Sequence, residues 1–324
     1  MSAEGEGEIV ILDDVRWVVE RSRHVQIDRS RLAEVCAGLD PTRLRLPDWQ
    51  VPVVPSWRDE RLVDYILLFN SLNFCYWGEP KWTIIFRGRP YDGAYGLMGA
   101  LTRALDEGYP LLEGAFLARI TLRDFRHILR GNVPIPLEAE RLAIWQEVGP
   151  VLVREFGGRW HNLVGRAGGS AIQLVRLLVE HFPSFDDRAG YDGRQVAFYK
   201  RAQLAAGMLY QAFGGQGWGA LADFERLTVY ADYKLPQVLR KLGILVYDRS
   251  LATLVDGQTP LAAGSRMEVE IRAATVWASE LMRQELRSHA PNLTASHIDF
   301  WLWEAGQAKS PGDRPYHRTL TTAY

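Results

Sequence analysis

Apolar residues recur three and four positions apart along most of this chain, and the runs stop at glycine or proline. That spacing belongs to helices with one buried face. From Gly93 to Glu107, Tyr95, Met98, Leu101 and Leu105 share a face, and Gly108 follows as a stop. Leu62, Tyr65, Ile66 and Phe69 do the same from Arg61 to Phe69. Thr121 to Leu129 carries Asp124 in the capping-box position three residues after Thr121. Further helices are predicted from Pro136 to Val153, Ser170 to Phe182, Val196 to Phe213, Leu227 to Leu242 and His297 to Trp303. Met267 to Leu286 reads as a charged amphipathic helix, and Val15 to Leu39 as a helical piece interrupted near Asp28. Only Trp82–Phe86 and Gly243–Tyr247 read as strands. Without repeated strand–helix alternation, a doubly wound sheet or an α/β barrel is disfavoured. The expected fold is mostly α with a few short strands.

The segment from Pro41 to Pro55, with four prolines, reads as a loop. It separates an N-terminal helical segment, residues 1–60, expected to pack on the body, from a helical catalytic body, residues 61–324. That body can be read as two helical lobes with the site between them.

Composition narrows the function. With 38 Lys+Arg against 39 Asp+Glu, the formal charge is −1, which offers no field for non-specific nucleic-acid binding. Two cysteines, Cys36 and Cys75, are too few for a disulfide framework, and Cys75 lies in an apolar run that suits a buried thiol. The seven histidines form no HxxxH or HExxH pair, so no zinc site is expected. No apolar run reaches the roughly 18–20 residues of a membrane span. Met1 to Glu8 is acidic and Gly-rich, unlike a signal peptide, and a cytoplasmic location is expected. Gly215-Gln-Gly-Trp-Gly-Ala220 fits G-x-G-x-x-A, but a predicted helix precedes it where a dinucleotide site needs a strand. A Gly-rich turn between helices is the better reading, and no cofactor is expected.

Three segments concentrate chemistry. Leu67 to Gly78 places Asn70, Asn73, Phe74, Tyr76 and Trp77 at the end of an apolar helix. Amides that donate and accept, beside flat aromatic faces, suit a heterocyclic base; they equally suit a core cluster with Asn73 as a cap. Val196 to Leu204 sets Lys200 among Val, Phe, Tyr and Leu. Only five of the 38 basic residues are Lys, so a Lys there is informative. A compact ammonium suits a phosphate, although a Lys snorkelling from a helix edge would look the same. Leu227 to Gly243 places Asp232 between Tyr230 and Tyr233, before Pro236. Thr228 or Asp232 is the helix cap; if Asp232, Pro236 falls in the first turn, where its missing N–H costs little. A helix N-terminus favours negative charge, and a carboxylate there can stabilise a developing sugar cation or activate water.

Taken together the motifs resemble one family, the queuosine salvage proteins, described as queuosine 5′-phosphate N-glycosylase/hydrolases. The resemblance rests on Phe69-Asn-Ser-Leu-Asn-Phe-Cys-Tyr-Trp77, on Asp92-Gly-Ala-Tyr-Gly-Leu97 with Arg103-Ala-Leu-Asp-Glu-Gly108, and on Phe182-Pro-Ser-Phe-Asp186. Phe198-Tyr-Lys-Arg-Ala-Gln203, Ala231-Asp-Tyr-Lys-Leu-Pro-Gln237 and Pro315-Tyr-His-Arg318 complete it, from about Arg61 to Tyr324. It implies a helical, DNA-glycosylase-like architecture. Asp232 with Gln237-Val-Leu-Arg-Lys-Leu-Gly243 is also similar to the catalytic-Asp segment of helix–hairpin–helix DNA glycosylases. Those with lyase activity keep a Schiff-base Lys nearer the Asp than Lys200 is here, so no lyase step is implied.

The implied reaction releases queuine, a 7-deazaguanine, from queuosine 5′-monophosphate, with Asp232 as the catalytic carboxylate. Asn73 is the candidate for the base edge and Phe74, Trp77, Tyr95 and Tyr233 for its walls. Lys200 is the first candidate for the 5′-phosphate, followed by Lys234, His317 and Arg318. The partner expected is a small nucleotide, with no membrane and no stable nucleic-acid complex. Two other readings remain: a glycosylase acting on a flipped base in nucleic acid, which needs a basic groove, and a non-catalytic binder of the modified base.

Overall fold

The computed structural model describes residues 11–47, 49, 51–308, 310 and 312–324. Among them are fourteen α-helices and three two-stranded antiparallel ladders. The fold is mostly α with a few short strands, as the spacing predicts. The chain forms two compact units. One joins Met1–Pro47, Asp187–Lys200 and Glu225–Leu320; the other joins Asp48–Asp186, Arg201–Phe224 and Thr321–Tyr324.

The first unit is built on the helix Arg266–Leu286, which Ser265 caps by accepting from Glu268 N at 3.4 Å. Its charges do not face solvent as an amphipathic reading expects: Glu268, Glu270 and Arg272 are buried. Each is held by a partner from elsewhere in the chain or on the same helix. The Glu270 carboxylate accepts from Ser22 Oγ at 2.8 Å, from the backbone N–H of Arg23 and His24 at 3.0 and 2.7 Å, and from Tyr191 Oη at 2.8 Å. A buried charge is tolerable only when paired in this way. Asp28 caps the helix Arg29–Ala37, which explains the interruption read there. Val25–Ile27 pairs with Leu245–Tyr247, the second of the two expected strands, to form a short ladder.

Two helices start later than the apolar spacing predicts. Val196 and Ala197 are not helical; they belong to a strand, Arg194–Ala197, paired with Arg188–Tyr191. Tyr199 then turns through φ +47, and the helix runs only from Lys200 to Ala212. The helix predicted from Leu227 begins at Lys234 and ends at Lys241. Pro236 explains the delay. In a helix starting at Leu227 it would be interior, unable to donate to the Asp232 carbonyl and clashing with it.

In the second unit the helix Glu60–Ser71 is buried along nearly its whole length. Its last carbonyls have no intrahelical donors, and two buried guanidinium groups supply them. Arg201 Nη1 donates to the Asn70 and Ser71 carbonyls at 3.1 and 2.5 Å. Arg141 donates to the carbonyls of Leu72, Phe74 and Cys75, and to that of Pro136 at 2.7 Å. Cations at a helix C-terminus also oppose its dipole. The Asn73–Trp77 segment is therefore pinned through its backbone. Cys75 is buried, as expected, and sits at φ +41.

The remaining predicted helices appear with small shifts: Gly93–Asp106, Leu122–Ile128 capped by Thr121, Glu138–Phe156, and Ala171–His181 capped by Ser170. The glycine-rich segment after Ala212 is a turn, with Gly214, Gly215 and Gly217 at φ +60, +71 and +53. Short elements carry too few residues to show a period, and Gly114–Leu117, Trp160–Arg166, Arg249–Asp256 and the strand Arg89–Asp92 were not predicted.

Candidate active site

The Asp232 turn is an organised polar feature of the first unit. Asp232 Oδ1 accepts from the backbone N–H of Lys234 at 2.6 Å and of Leu235 at 3.1 Å. It caps the helix from one position before Tyr233, the residue at the helix boundary. Thr228 is buried in the segment upstream and is not the cap. With Oδ1 occupied twice, Oδ2 accepts no hydrogen bond among the described residues. A carboxylate fixed through one oxygen presents the other in a set direction.

A second carboxylate stands beside it. Asp299, on the helix Ala295–Gln307, accepts the backbone N–H of Tyr230 at 2.7 Å through Oδ2. One turn earlier on the same face, Ser296 Oγ lies 2.6 Å from Tyr230 Oη. These two contacts clamp the strand-like segment that leads into Asp232. Removal from water pushes the Asp299 carboxyl up to about 8; the Asp232 charge adds to the rise and Lys200 opposes it. Asp232 and Lys200 therefore each lie within electrostatic reach of Asp299.

Lys200 is only 5% exposed and opens its helix rather than lying along the edge of one. Its position follows from Asp187. The Asp187 carbonyl accepts from Phe198 N at 3.0 Å and Tyr199 N at 3.2 Å, and Asp187 Oδ2 accepts from Lys200 N at 3.1 Å. Three successive N–H groups thus converge on one residue and close the left-handed turn at Tyr199. Asp187 is itself gripped by Arg272, whose Nη1 and Nη2 donate to its two oxygens at 2.8 and 2.6 Å. The Arg272 guanidinium lies over the Phe198 ring at 4.0 Å. Both partners of this ion pair are buried.

The other first-unit candidates surround the same helix start or the segment after Asp313. Tyr233 and Tyr316 pack with centroids 4.7 Å apart. Lys234 Nζ donates to the Gly306 carbonyl at 3.2 Å and lies 5.2 Å from the Tyr316 ring centroid. Lys234, Tyr316 and Arg318 line a cavity of about 380 Å³ with Gln237, Lys241 and Arg314. It is rich in cations and borders the Asp232 turn through Lys234; Asp232, Asp299 and Lys200 do not line it. His317 is buried, and burial followed by the Arg272 charge lowers its imidazole to about 3. It is neutral at pH 7 and can offer a substrate a hydrogen bond but no charge.

Four candidates belong to the second unit. Asn73 is buried; its Oδ1 accepts from Tyr76 Oη at 2.9 Å and its Nδ2 approaches Asn70 Oδ1 at 3.5 Å. Phe74 is 1% exposed and packs under the guanidinium groups of Arg141 and Arg201, at 4.1 and 5.1 Å, so it serves the packing of its segment. Trp77 is half-buried and Tyr95 is exposed.

The chain matches the family model described as queuosine salvage protein over residues 53–324. The chain belongs to the queuosine salvage protein family. The family match contains every candidate from Asn73 to Arg318. Curated relatives named queuosine 5′-phosphate N-glycosylase/hydrolase align along nearly their whole length. The Sphaerobacter thermophilus protein is 43% identical over 316 residues, covering 97% of each chain. The Mus musculus protein is 34% identical over 331 residues, covering 96% of this chain and 98% of its own. The Schizosaccharomyces pombe protein is 30% identical over 328 residues, covering 94% of both. This likeness reaches into the first sixty residues, where the sequence motifs of the family are sparse. Among the described residues no helix is long and apolar enough to cross a membrane, and no group of three acidic, His or Cys side chains is placed to hold a metal ion.

Sequence reasoning missed Asp299, Asp187 and Arg272. A signal existed for the first: Asp299 is an acid flanked by Ile298, Phe300 and Trp301 in a predicted helix, where an unpartnered carboxylate would be costly. Asp187 and Arg272 lie far apart in sequence, and only folding reveals their pairing.

Proposed function

We propose that this chain hydrolyses the N-glycosidic bond of queuosine 5′-monophosphate in the cytoplasm, releasing queuine and ribose 5-phosphate. The observation that carries the reading is Asp232, held through one oxygen by two backbone N–H groups, with the other oxygen unbonded among the described residues. The names of the curated relatives support the substrate and reaction class. Breaking the bond builds positive charge on C1′ and the ring oxygen of the ribose. A preorganised carboxylate stabilises that charge without having to reorganise at the moment of reaction. Water then adds to C1′ and passes a proton to Asp232.

Lys200 is assigned the 5′-phosphate, with Lys234 and Arg318 as further cations and His317 as a neutral donor. Base recognition by Asn73, with Trp77, Tyr95 and Tyr233, rests on the sequence motifs. The partner is a small nucleotide; a −1 net charge suits one small anion better than a nucleic-acid duplex.

The direct test is to incubate the protein with queuosine 5′-monophosphate and follow free queuine by mass spectrometry. A protein that binds the nucleotide without releasing queuine is a binder and not a hydrolase. The phosphate assignment has its own readout. The nucleotide should exceed the nucleoside in kcat/KM by about 10²-fold or more, since binding remote from the bond also aids positioning. Lys200→Met should remove most of that preference. Equal kcat/KM values for nucleotide and nucleoside in the unaltered protein would eliminate the assignment.

A further inference from the structure

We propose that Asp299 is the general acid of this site and delivers a proton to the departing base. The inference rests on the hydrolase reading above and deepens it. A 7-deazapurine carries carbon where guanine has N7, so the usual protonation site of a purine leaving group is missing. The base must nevertheless take up the electron pair of the broken bond. The ring acceptor closest to the sugar is N3, separated from the glycosidic N9 by one carbon. A proton donor within electrostatic reach of the carboxylate that faces the sugar is suited to N3 rather than to the distant O6.

Asp299 has the attributes of such a donor. One oxygen is fixed by Tyr230 N–H at 2.7 Å, and Oδ1 accepts no hydrogen bond among the described residues. The helix that bears it is tied to the Asp232 segment twice, through Asp299 and through Ser296. Two carboxylates in one environment separate into an acid and a base when their surroundings differ. Here Asp232 is hydrogen-bonded by two N–H groups and Asp299 by one, and desolvation holds the Asp299 proton. The charged and titratable groups facing Asp299 are Asp232 and Lys200, together with the Tyr230 phenol, which burial keeps protonated. Lys234 reaches the same helix at Gly306. The Tyr230 N–H hydrogen bond works against the proton, and among the charged groups Lys200 does so too. A phosphate bound to Lys200 would offset that charge, so substrate binding would help to keep Asp299 protonated until the base departs.

The step balances. The C1′–N9 bond breaks with its electron pair moving to the base, and the base takes the Asp299 proton at N3. The water oxygen bonds to C1′ and its proton passes to Asp232. Solvent then returns Asp299 and Asp232 to their starting states, and the net reaction consumes one water.

The test compares leaving groups. Asp299→Asn keeps an acceptor for Tyr230 N–H, so the segment stays clamped and the melting temperature checks this. On queuosine 5′-monophosphate it should lose about 10²- to 10⁴-fold in kcat/KM, the usual contribution of general acid catalysis. On p-nitrophenyl ribofuranoside 5-phosphate, whose leaving group departs without a proton, it should stay within about tenfold of the unaltered protein, because only the protonation step is removed. In the unaltered protein the natural substrate should show an activity loss as pH rises through Asp299's ionisation, and the p-nitrophenyl substrate should not. This second comparison needs no variant and stands if Asp299→Asn fails to fold. Equal losses on both substrates, or an alkaline limb common to both, would overturn the assignment. If the unaltered protein cleaved neither substrate, the hydrolase reading itself would fall.

Discussion

Asp232→Asn is expected to bind queuosine 5′-monophosphate nearly as well as the unaltered protein and to lose about 10³-fold or more in turnover. The substitution is informative because of what it preserves. Asn caps helices about as well as Asp, so its side-chain oxygen can still accept from Lys234 N and Leu235 N. What disappears is the negative charge that the proposed mechanism sets beside C1′. Asp232→Ala removes the cap as well and should cost about 1 kcal/mol of stability in addition. Calorimetric binding with single-turnover queuine release separates the two effects. Release near the unaltered rate in Asp232→Asn would take Asp232 out of the chemistry. A secondary result follows from the neighbouring carboxylate. The Asp232 charge helps to hold the Asp299 proton, so the residual activity of Asp232→Asn should fail at a lower pH than that of the unaltered protein.

The largest loss of stability is expected from breaking the Asp187–Arg272 pair. Both side chains are buried and joined by two hydrogen bonds. Asp187→Ala takes both hydrogen-bonded carboxylate oxygens from the guanidinium, leaving the longer Glu268 contact at 3.8 Å, and removes the acceptor of Lys200 N–H. Taking the hydrogen-bonded partner from a buried charge costs up to about 3–5 kcal/mol, readable as a lower denaturation midpoint in urea. The double replacement Asp187→Leu with Arg272→Met removes both charges and should recover much of that stability, as replacements of buried pairs often do. It cannot restore the acceptor for Lys200 N–H. Turnover of the nucleotide should therefore stay low in the double variant while its midpoint recovers, and if Lys200 holds the 5′-phosphate as proposed, the defect should be smaller for the nucleoside. A double variant with recovered stability and full nucleotide turnover would show that the pair only holds the fold.

The helical character of the chain was legible because its longer helices repeat an apolar face over several turns, as in Gly93–Asp106 and Arg266–Leu286. The two misplaced helix starts share a cause. Val196 and Leu227 continue the apolar spacing, but local hydrogen bonding at Asp187 and the ring of Pro236 decide where the helix begins. Both delays meet a candidate residue: Lys200 opens one helix, and Asp232 lies two positions before the start of the other. Periodicity reports burial, and it cannot distinguish a buried helix from a buried turn that presents a side chain. The reading of Arg266–Leu286 as charged and amphipathic failed for a related reason. Its carboxylates and Arg272 are satisfied by groups distant in sequence, such as Ser22, Tyr191 and Asp187. Asp232 and Lys200 could be singled out because each differs from its immediate neighbours. Asp299 could not be singled out from its immediate neighbours; its contact with the distant Tyr230 N–H is what marks it.

The guanidinium forks of Arg141 and Arg201 have a bearing on how the protein should tolerate alkali. A guanidinium stays charged past pH 12, so the carbonyl ends they bind remain satisfied well beyond the pH at which Asp299 ionises. Inactivation at pH 9 to 10 should thus be a change of protonation in an intact molecule. Activity lost there should return in full on neutralisation, with circular dichroism unchanged throughout the excursion. A lysine framework would begin to lose its charge in that same range; the arginine-rich composition lets catalysis switch off while the scaffold stays standing.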